Sequence, residues 1–196
     1  MARILSLPRR APVDCEKKPT FDANGQVNGW QWAPEAQALV EYVTAKFSLG
    51  SRACNCAKLG FRHCITTLKP AQAWALHEMS QYGGVYMPIS VGGGKTAVFL
   101  LASLATTCKT VVLFAKPDQR LHYRNAYMQL REHFRVPSLV FDDDQLKGSY
   151  IVPGMPVVHF IPYSLLSNPK STTLLEQIDP DMVLDDEGHC LSNVRS

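Results

Sequence analysis

The run Ile89-Ser90-Val91-Gly92-Gly93-Gly94-Lys95-Thr96 constrains this chain more than any other part of it. The apolar stretch Val85–Ile89 leads into it and the apolar stretch Ala97–Ala105 follows it. This predicts a short strand over Val85–Ile89, a glycine turn over Ser90–Gly94 and a helix over Lys95–Thr106. Glycines let backbone N–H groups converge on phosphate oxygens with no Cβ in the way. The helix N-terminus directs partial positive charge to the same point. A lysine at Lys95 can reach the β- and γ-phosphates, and a hydroxyl at Thr96 can coordinate Mg²⁺. The expected nucleotide-binding set is therefore Ser90, Val91, Gly92, Gly93, Gly94, Lys95 and Thr96. The competing reading, a glycine-rich turn beside an ordinary surface lysine, accounts less well for a Gly-Gly-Gly-Lys-Thr run set between a strand and an apolar helix.

A second segment carries matching chemistry. Met182-Val183-Leu184-Asp185 is followed by Asp186-Glu187-Gly188-His189. An apolar strand that ends in acids puts carboxylates at the carboxyl edge of a sheet, where a phosphate loop also lies. Asp186 is expected to hold Mg²⁺ through water, Glu187 to orient or deprotonate an attacking water, and His189 to couple nucleotide state to the rest of the chain. The adjacent Asp185 leaves the register ambiguous. Asp186 is chosen because it places Glu187 and His189 in order. Taken alone, the segment also reads as an acidic turn after a strand.

The pattern around these segments is regular. Pro34–Phe47 and Ala71–Gln81 read as helices, the former with Leu39, Val40, Val43 and Phe47 on one face. Thr110–Ala115 is a continuous apolar run of the kind found in buried parallel strands. Gln119–Phe134 is expected as helix, Ser138–Phe141 and Pro156–Ile161 as strands, Thr172–Ile178 as a short helix and Asp181–Asp185 as a strand. Strands alternating with helices predict an α/β fold, a parallel sheet covered on both faces. Residues 1–33, rich in Pro, Gly and Asn, read as an extended lead-in with turns. Residues 1–65 are taken as an N-terminal accessory segment with a helix and a Cys-bearing loop, and 66–196 as the main lobe.

Composition narrows the class. A net charge of +3 permits contact with nucleic acid without arguing for it. Met1–Arg10 lacks the long apolar core and cleavage site of a signal peptide. Ala97–Ala105 is too short to span a bilayer. Six cysteines in 196 residues do not make a disulfide scaffold, so an intracellular, reducing setting, cytoplasmic or nucleoid-associated, is expected.

Gly92-Gly93-Gly94-Lys95-Thr96, Asp186-Glu187-Gly188-His189-Cys190-Leu191-Ser192-Asn193 and Leu68-Lys69-Pro70-Ala71-Gln72 together resemble motifs of superfamily-two helicases and translocases. The resemblance is to the DExH-type, Swi/Snf-like branch. That family has Ala or Gly where Ile89 stands. Val111–Arg120 and Pro162-Tyr163-Ser164-Leu165-Leu166 resemble its nucleic-acid contact segments, and the likeness covers about residues 66–196. It implies a first RecA-like lobe that hydrolyses ATP, with Lys95, Asp186 and Glu187 catalytic and Gln72 recognising adenine. It also implies nucleic acid as partner, with DNA favoured over RNA, contacted near Lys116, Arg120 and Tyr163. A second RecA-like lobe, in the parent protein or in trans, is the other implied partner. The family's coupling motif and second lobe have no counterpart before Ser196, so the chain reads as a fragment or a natural single lobe.

Two features stand apart. Cys54, Cys56, His63 and Cys64 form a compact set of soft ligands, and four such ligands can hold Zn²⁺. Their spacing is not that of a two-pair zinc knuckle, and thiols packed as small hydrophobes against the sheet are the preferred reading. Arg120, His122, Tyr123, Arg124 and Arg131 place cations and aromatic rings along one helix, a pattern that suits single strands, although a solvated face is the preferred reading. The alternatives to a motor lobe are a nucleotide- or partner-binding module without efficient turnover, and a small-molecule kinase; the acidic motif and Gln72 argue against the kinase.

Overall fold

The computed structural model describes residues 17–50, 52–87, 89, 92–141, 149–166 and 170–186. The framework is a four-stranded parallel sheet. Its strands are β3 (Thr110–Ala115), β4 (Ser138–Phe141), β5 (Val157–Pro162) and β6 (Met182–Asp185), in the order β4-β5-β3-β6. Central β3 pairs Thr110 with Val157 through Ala115 with Pro162 on one side, and Val111 with Met182 through Phe114 with Asp185 on the other. Parallel pairing in this register brings the ends of β3, β5 and β6 to one edge.

Side chains alternate across β3 and feed two cores. Val111, Leu113 and Ala115 join the larger one, with α1 (Pro34–Phe47), α2 (Pro70–Tyr82), α3 (Lys95–Ala105) and α4 (Arg120–Leu130). Val112 and Phe114 face the other way, onto a smaller cluster with α5 (Tyr163–Leu166) and α6 (Lys170–Ile178). Both faces are thus covered, which is why β3 is apolar throughout instead of alternating. Val40, Val43 and Phe47 of α1 lie in the same core as Leu76 of α2 and Leu100 of α3, so this core is continuous across residue 65.

Sequence expectation and structure part in three places. The lead-in holds a hairpin, β1 (Lys17–Phe21) paired antiparallel with β2 (Val27–Trp32). Asp22 shapes its turn, accepting the N–H groups of Asn24 and Gln26 at 2.9 Å each, and Gly25 has φ +75°. Val85–Ile89 does not form a ladder strand among the described residues. Ile89 N–H instead donates to the Met87 carbonyl at 2.8 Å, while Val85, Met87 and Ile89 rest against the core. Pro88, which has no N–H to give a ladder, sits in the middle of this run. Finally, α4 ends at Leu130, because Arg131–Phe134 turn to meet the end of α1, where Leu49 N–H donates to the His133 carbonyl at 2.8 Å and Phe134 bridges Ser48. Among the described residues no helix is long and apolar enough to cross a membrane.

Asp181 fixes the start of β6. Its carboxylate accepts the N–H groups of Lys109 and Thr110 at 2.8 and 3.0 Å, and its own N–H donates to the Thr110 carbonyl at 2.9 Å. The Thr110 N–H, then that of Lys109, favours the ionised form and holds this carboxyl below its ordinary value of 3.8. A depressed folded value contributes stability above pH 3.8, and that contribution disappears as pH falls through the folded value. Asp181→Ala is expected to lower the urea midpoint at neutral pH, and the gap from the parent is expected to close as pH falls below 3.8. A gap that persists unchanged into acid would contradict this role.

Candidate nucleotide pocket and an adjoining thiol cluster

The glycine turn is held from below by α2. Lys69 N–H donates to Gln72 Oε1 at 2.7 Å, closing a box at the start of that helix, and Gln72 Nε2 donates to the Gly94 carbonyl at 2.9 Å. Lys69 Nζ reaches the Gly92 carbonyl at 3.3 Å. Gly92 and Gly94 are left-handed, with φ of 78° and 88°. A Cβ on Gly94 would stand 2.2 Å from Gln72 Nε2, so that amide would have to move, and the left-handed φ of 88° by itself favours glycine there. The turn delivers the chain to α3, whose residues Ala97–Ser103 are all buried. Lys95 and Thr96 therefore sit at the mouth of a helix that cannot shift.

Opposite the turn, Asp186 N–H donates to the Phe114 carbonyl at 3.0 Å, which extends β6 by one residue at the carboxyl edge. Gln72, Gly92, Gly94, Lys95, Thr96 and Asp186 all line one cavity of about 670 Å³. That volume is in the usual range for a small-molecule site, roughly 300–1,000 Å³. Lys69 and Lys95 supply cationic charge, the glycine turn and helix start supply N–H groups, and Asp186 supplies a carboxylate across the gap. Such a set suits a polyanion carrying a divalent cation. Asp185 does not line this cavity; its carboxylate accepts from the Tyr163 hydroxyl, as alternation along a strand requires.

The other site residues fall as follows. Ser90, Val91, Glu187 and His189 lie outside the described residues. Gly93 is half-buried in the turn. Gln72, expected to read adenine, is buried and has both ends of its amide engaged by the chain itself, so here it props the loop. Lys116 is exposed just past β3. Arg120 lays its guanidinium over the Phe141 ring at 4.8 Å, and Tyr163 stacks on Phe114 at 6.3 Å. The expectation that Tyr123 offers a stacking surface is corrected: it is fully buried, one helical turn from buried Tyr127, because this face of α4 is core. Its hydroxyl lies beside Asp186 without a hydrogen bond of ordinary length. Burial, and then the Asp186 carboxylate, push that phenol far above its ordinary value. Arg124 is taken up by the Tyr150 hydroxyl at 2.8 Å.

Two contacts were not legible in the sequence. Thr96 Oγ1 and His122 Nε2 are 3.0 Å apart, a pairing between the first turns of two helices. The cysteine set also differs from expectation. The ligand atoms of Cys54, Cys56, Cys64 and His133 lie within 4.8 Å of one another, and His63 is not in the group. His63 is exposed, and its carbonyl accepts from Gln129 Nε2 at 2.7 Å. Next to Cys64 in sequence, it cannot readily turn to the same point, whereas His133, 77 residues from Cys56, arrives from the end of α4. Cys56 is buried but joins neither apolar cluster of the sheet, Cys54 is half-buried and Cys64 exposed, so the expectation of thiols packed against the sheet gives way to this cluster. Burial pushes the Cys56 thiol up to about 12, whereas the Cys56 N–H draws that of Cys54 down.

Gly94→Ala is expected to cost about 1–2 kcal/mol from the left-handed backbone alone, with the collision against Gln72 added. The double variant Gln72→Ala/Gly94→Ala relieves the collision and should be more stable than additivity allows, by about 0.5–3 kcal/mol in a denaturation cycle. Strict additivity would show that the two residues do not press on each other.

Searches against protein-family models, curated proteins and solved structures found no match to this chain.

Proposed function

We propose that this chain binds ATP–Mg²⁺ in the cavity at the end of its sheet and is the first, RecA-like motor lobe of a DExH helicase-like, nucleic-acid-dependent ATPase. One observation carries the reading. Gly92, Gly94, Lys95 and Thr96 wall a single cavity with Asp186, far away in sequence, at the carboxyl edge of a parallel sheet. In this reading the turn and Lys95 hold the β- and γ-phosphates, and Thr96 and Asp186 hold the Mg²⁺. Thr96 then exchanges its His122 contact for the metal. Glu187, next to Asp186, orients the attacking water, and His189 relays the outcome. Gln72 acts as a positioning residue, through the loop it braces.

The resemblance of Val111–Arg120 and Pro162–Leu166 to nucleic-acid contact segments supports a polymer path across the same edge. Lys116 follows β3 and Tyr163 follows β5, and the register makes these strand ends neighbours. The Tyr163 hydroxyl on Asp185 joins that edge to the strand that carries Asp186. Contact with a strand at Tyr163 thus has a short mechanical route to the metal carboxylate.

The Lys95 ammonium makes a charge-assisted contact worth about 1.5–3 kcal/mol. Lys95→Ala is expected to weaken ATP–Mg²⁺ binding by roughly tenfold to a hundredfold in calorimetry. Unchanged affinity in a folded variant would remove the assignment.

Among the described residues no arginine lines the cavity. An arginine finger commonly supplies ~10³–10⁵-fold in phosphoryl transfer. These 196 residues alone are therefore expected to bind nucleotide and turn it over slowly, with single-stranded DNA giving modest stimulation that Lys116→Ala lowers. Steady-state hydrolysis at high dilution, with Glu187→Gln as the blank, measures this. Fast turnover that Glu187→Gln abolishes would mean that no arginine from outside is needed.

A further inference from the structure

We infer that Cys54, Cys56, Cys64 and His133 form a tetrahedral Zn²⁺ site that pins the loop between α1 and α2 to the end of α4. The distances fit the ion. Cys54 Sγ and Cys64 Sγ are 3.5 Å apart, as are Cys56 Sγ and His133 Nε2. With Zn–S near 2.3 Å and Zn–N near 2.05 Å, a tetrahedron has S···S edges of about 3.8 Å and S···N edges of about 3.6 Å. The four atoms spread over at most 4.8 Å, so closing them onto one ion takes shifts of about an ångström or less. Cys54, Cys56 and Cys64 are free thiols, with the Cys54 and Cys64 sulfurs 3.5 Å apart.

The surroundings hold the ligands in place before any ion arrives. The Arg52 guanidinium donates to the carbonyls of Glu132 and Arg131, at 3.1 Å each. Asn55 N–H, between two of the cysteines, donates to Glu132 Oε2 at 2.7 Å. The Cys56 carbonyl accepts from Phe61 N–H at 2.9 Å, which folds the loop back so that Cys64 returns to Cys54. Backbone and side-chain contacts thus tie the loop to residues 129–132, immediately before the fourth ligand. Three thiolates and one imidazole complete the coordination and leave no open position, the signature of a structural site. Simple apolar packing explains neither the exposed Cys64 nor the turning of four soft ligand atoms to one point.

The site also bears on the pocket. Cys64 and the three residues after it, Ile65, Thr66 and Thr67, form one wall of the 670 Å³ cavity, and Gln129 and Leu130 of α4 form an adjoining part. A metal holding Cys64 to His133 would set the distance between those walls. This consequence rests on the nucleotide reading; the metal site does not.

The test uses the full 196-residue chain, purified under reducing conditions after expression with zinc. Elemental analysis is expected to give close to one zinc per chain. Three of the six thiols should resist titration until a chelator is added. Chelation should lower the melting temperature by more than about 5 °C, because metal affinity adds to folding stability. Cobalt substitution should give the intense visible absorption of tetrahedral coordination together with a thiolate charge-transfer band. Cys64→Ser, at an exposed position, should fold and hold zinc at least tenfold more weakly. His133→Ala should do the same, while His63→Ala should retain the metal. A reduced, metal-free chain whose melting is indifferent to chelator overturns the site, as does a Cys54–Cys64 disulfide found by mass. Zinc retained by His133→Ala and lost by His63→Ala overturns the ligand set. Zinc with unchanged ATP affinity after chelation keeps the site and removes only its effect on the pocket.

Discussion

Burial of α3 on every side is the constraint from which the rest follows. Val98, Phe99, Leu100 and Leu101 are each less than 5% exposed, and full burial of such side chains contributes about 1.5–3 kcal/mol apiece. The helix has no side-chain cap at its start, where the missing contact is worth about 1 kcal/mol. Packing therefore outweighs capping severalfold, and the helix forms where the core demands it. Its start lines the cavity with no side-chain cap, while the Ala97 N–H donates back to the Gly94 carbonyl at 3.1 Å. An uncapped helix start beside two left-handed glycines is a poor local structure, held in place by the core behind it.

The sheet supplies the other half of the geometry. Because β3 is paired on both sides in parallel register, its end, the end of β5 and the end of β6 come out together. Asp186 meets Thr96 across the cavity for that reason, though the two residues belong to distant segments. The same register sets Lys116 beside Tyr163. The exposed edge and the half-buried carboxylate are thus two sides of one row of strand ends. Asp185 and Asp186 divide between them by alternation alone.

The loop before α2 shows the opposite economy. Residues 52–64 contain no helix or strand, and only Cys56 is buried among them. Hydrogen bonds from Arg52 and Asn55 hold it to the end of α4. Such a loop gains little from the hydrophobic effect, and below a certain core content small segments commonly recruit a metal. The convergence of three thiols and an imidazole at this point is consistent with that need. It also gives His133, buried in a turn, a partner suited to its ring.

Much of this was legible in the sequence, where local chemistry decides the outcome. Pro34 and Pro70 begin their helices, the apolar run Thr110–Ala115 is a buried strand, and the glycine-lysine-threonine turn opens α3. Each depends on neighbours within a few residues. The partnerships made across the fold were not legible. His133 replaces His63 in the thiol cluster because the turn after α4 carries it there, and no spacing rule spans 77 residues. Tyr123 is core, not surface, because α4 lies against β5, where Phe160 meets its ring at 5.4 Å. Val85–Ile89 has the hydrophobicity of a strand, but its described residues pair with no strand and Ile89 N–H donates to the Met87 carbonyl. Sequence alone determined which segments are apolar and where helices start, since those follow from side-chain type and near spacing. Tertiary structure alone decided which distant groups meet, because that depends on strand register and on the face each helix buries.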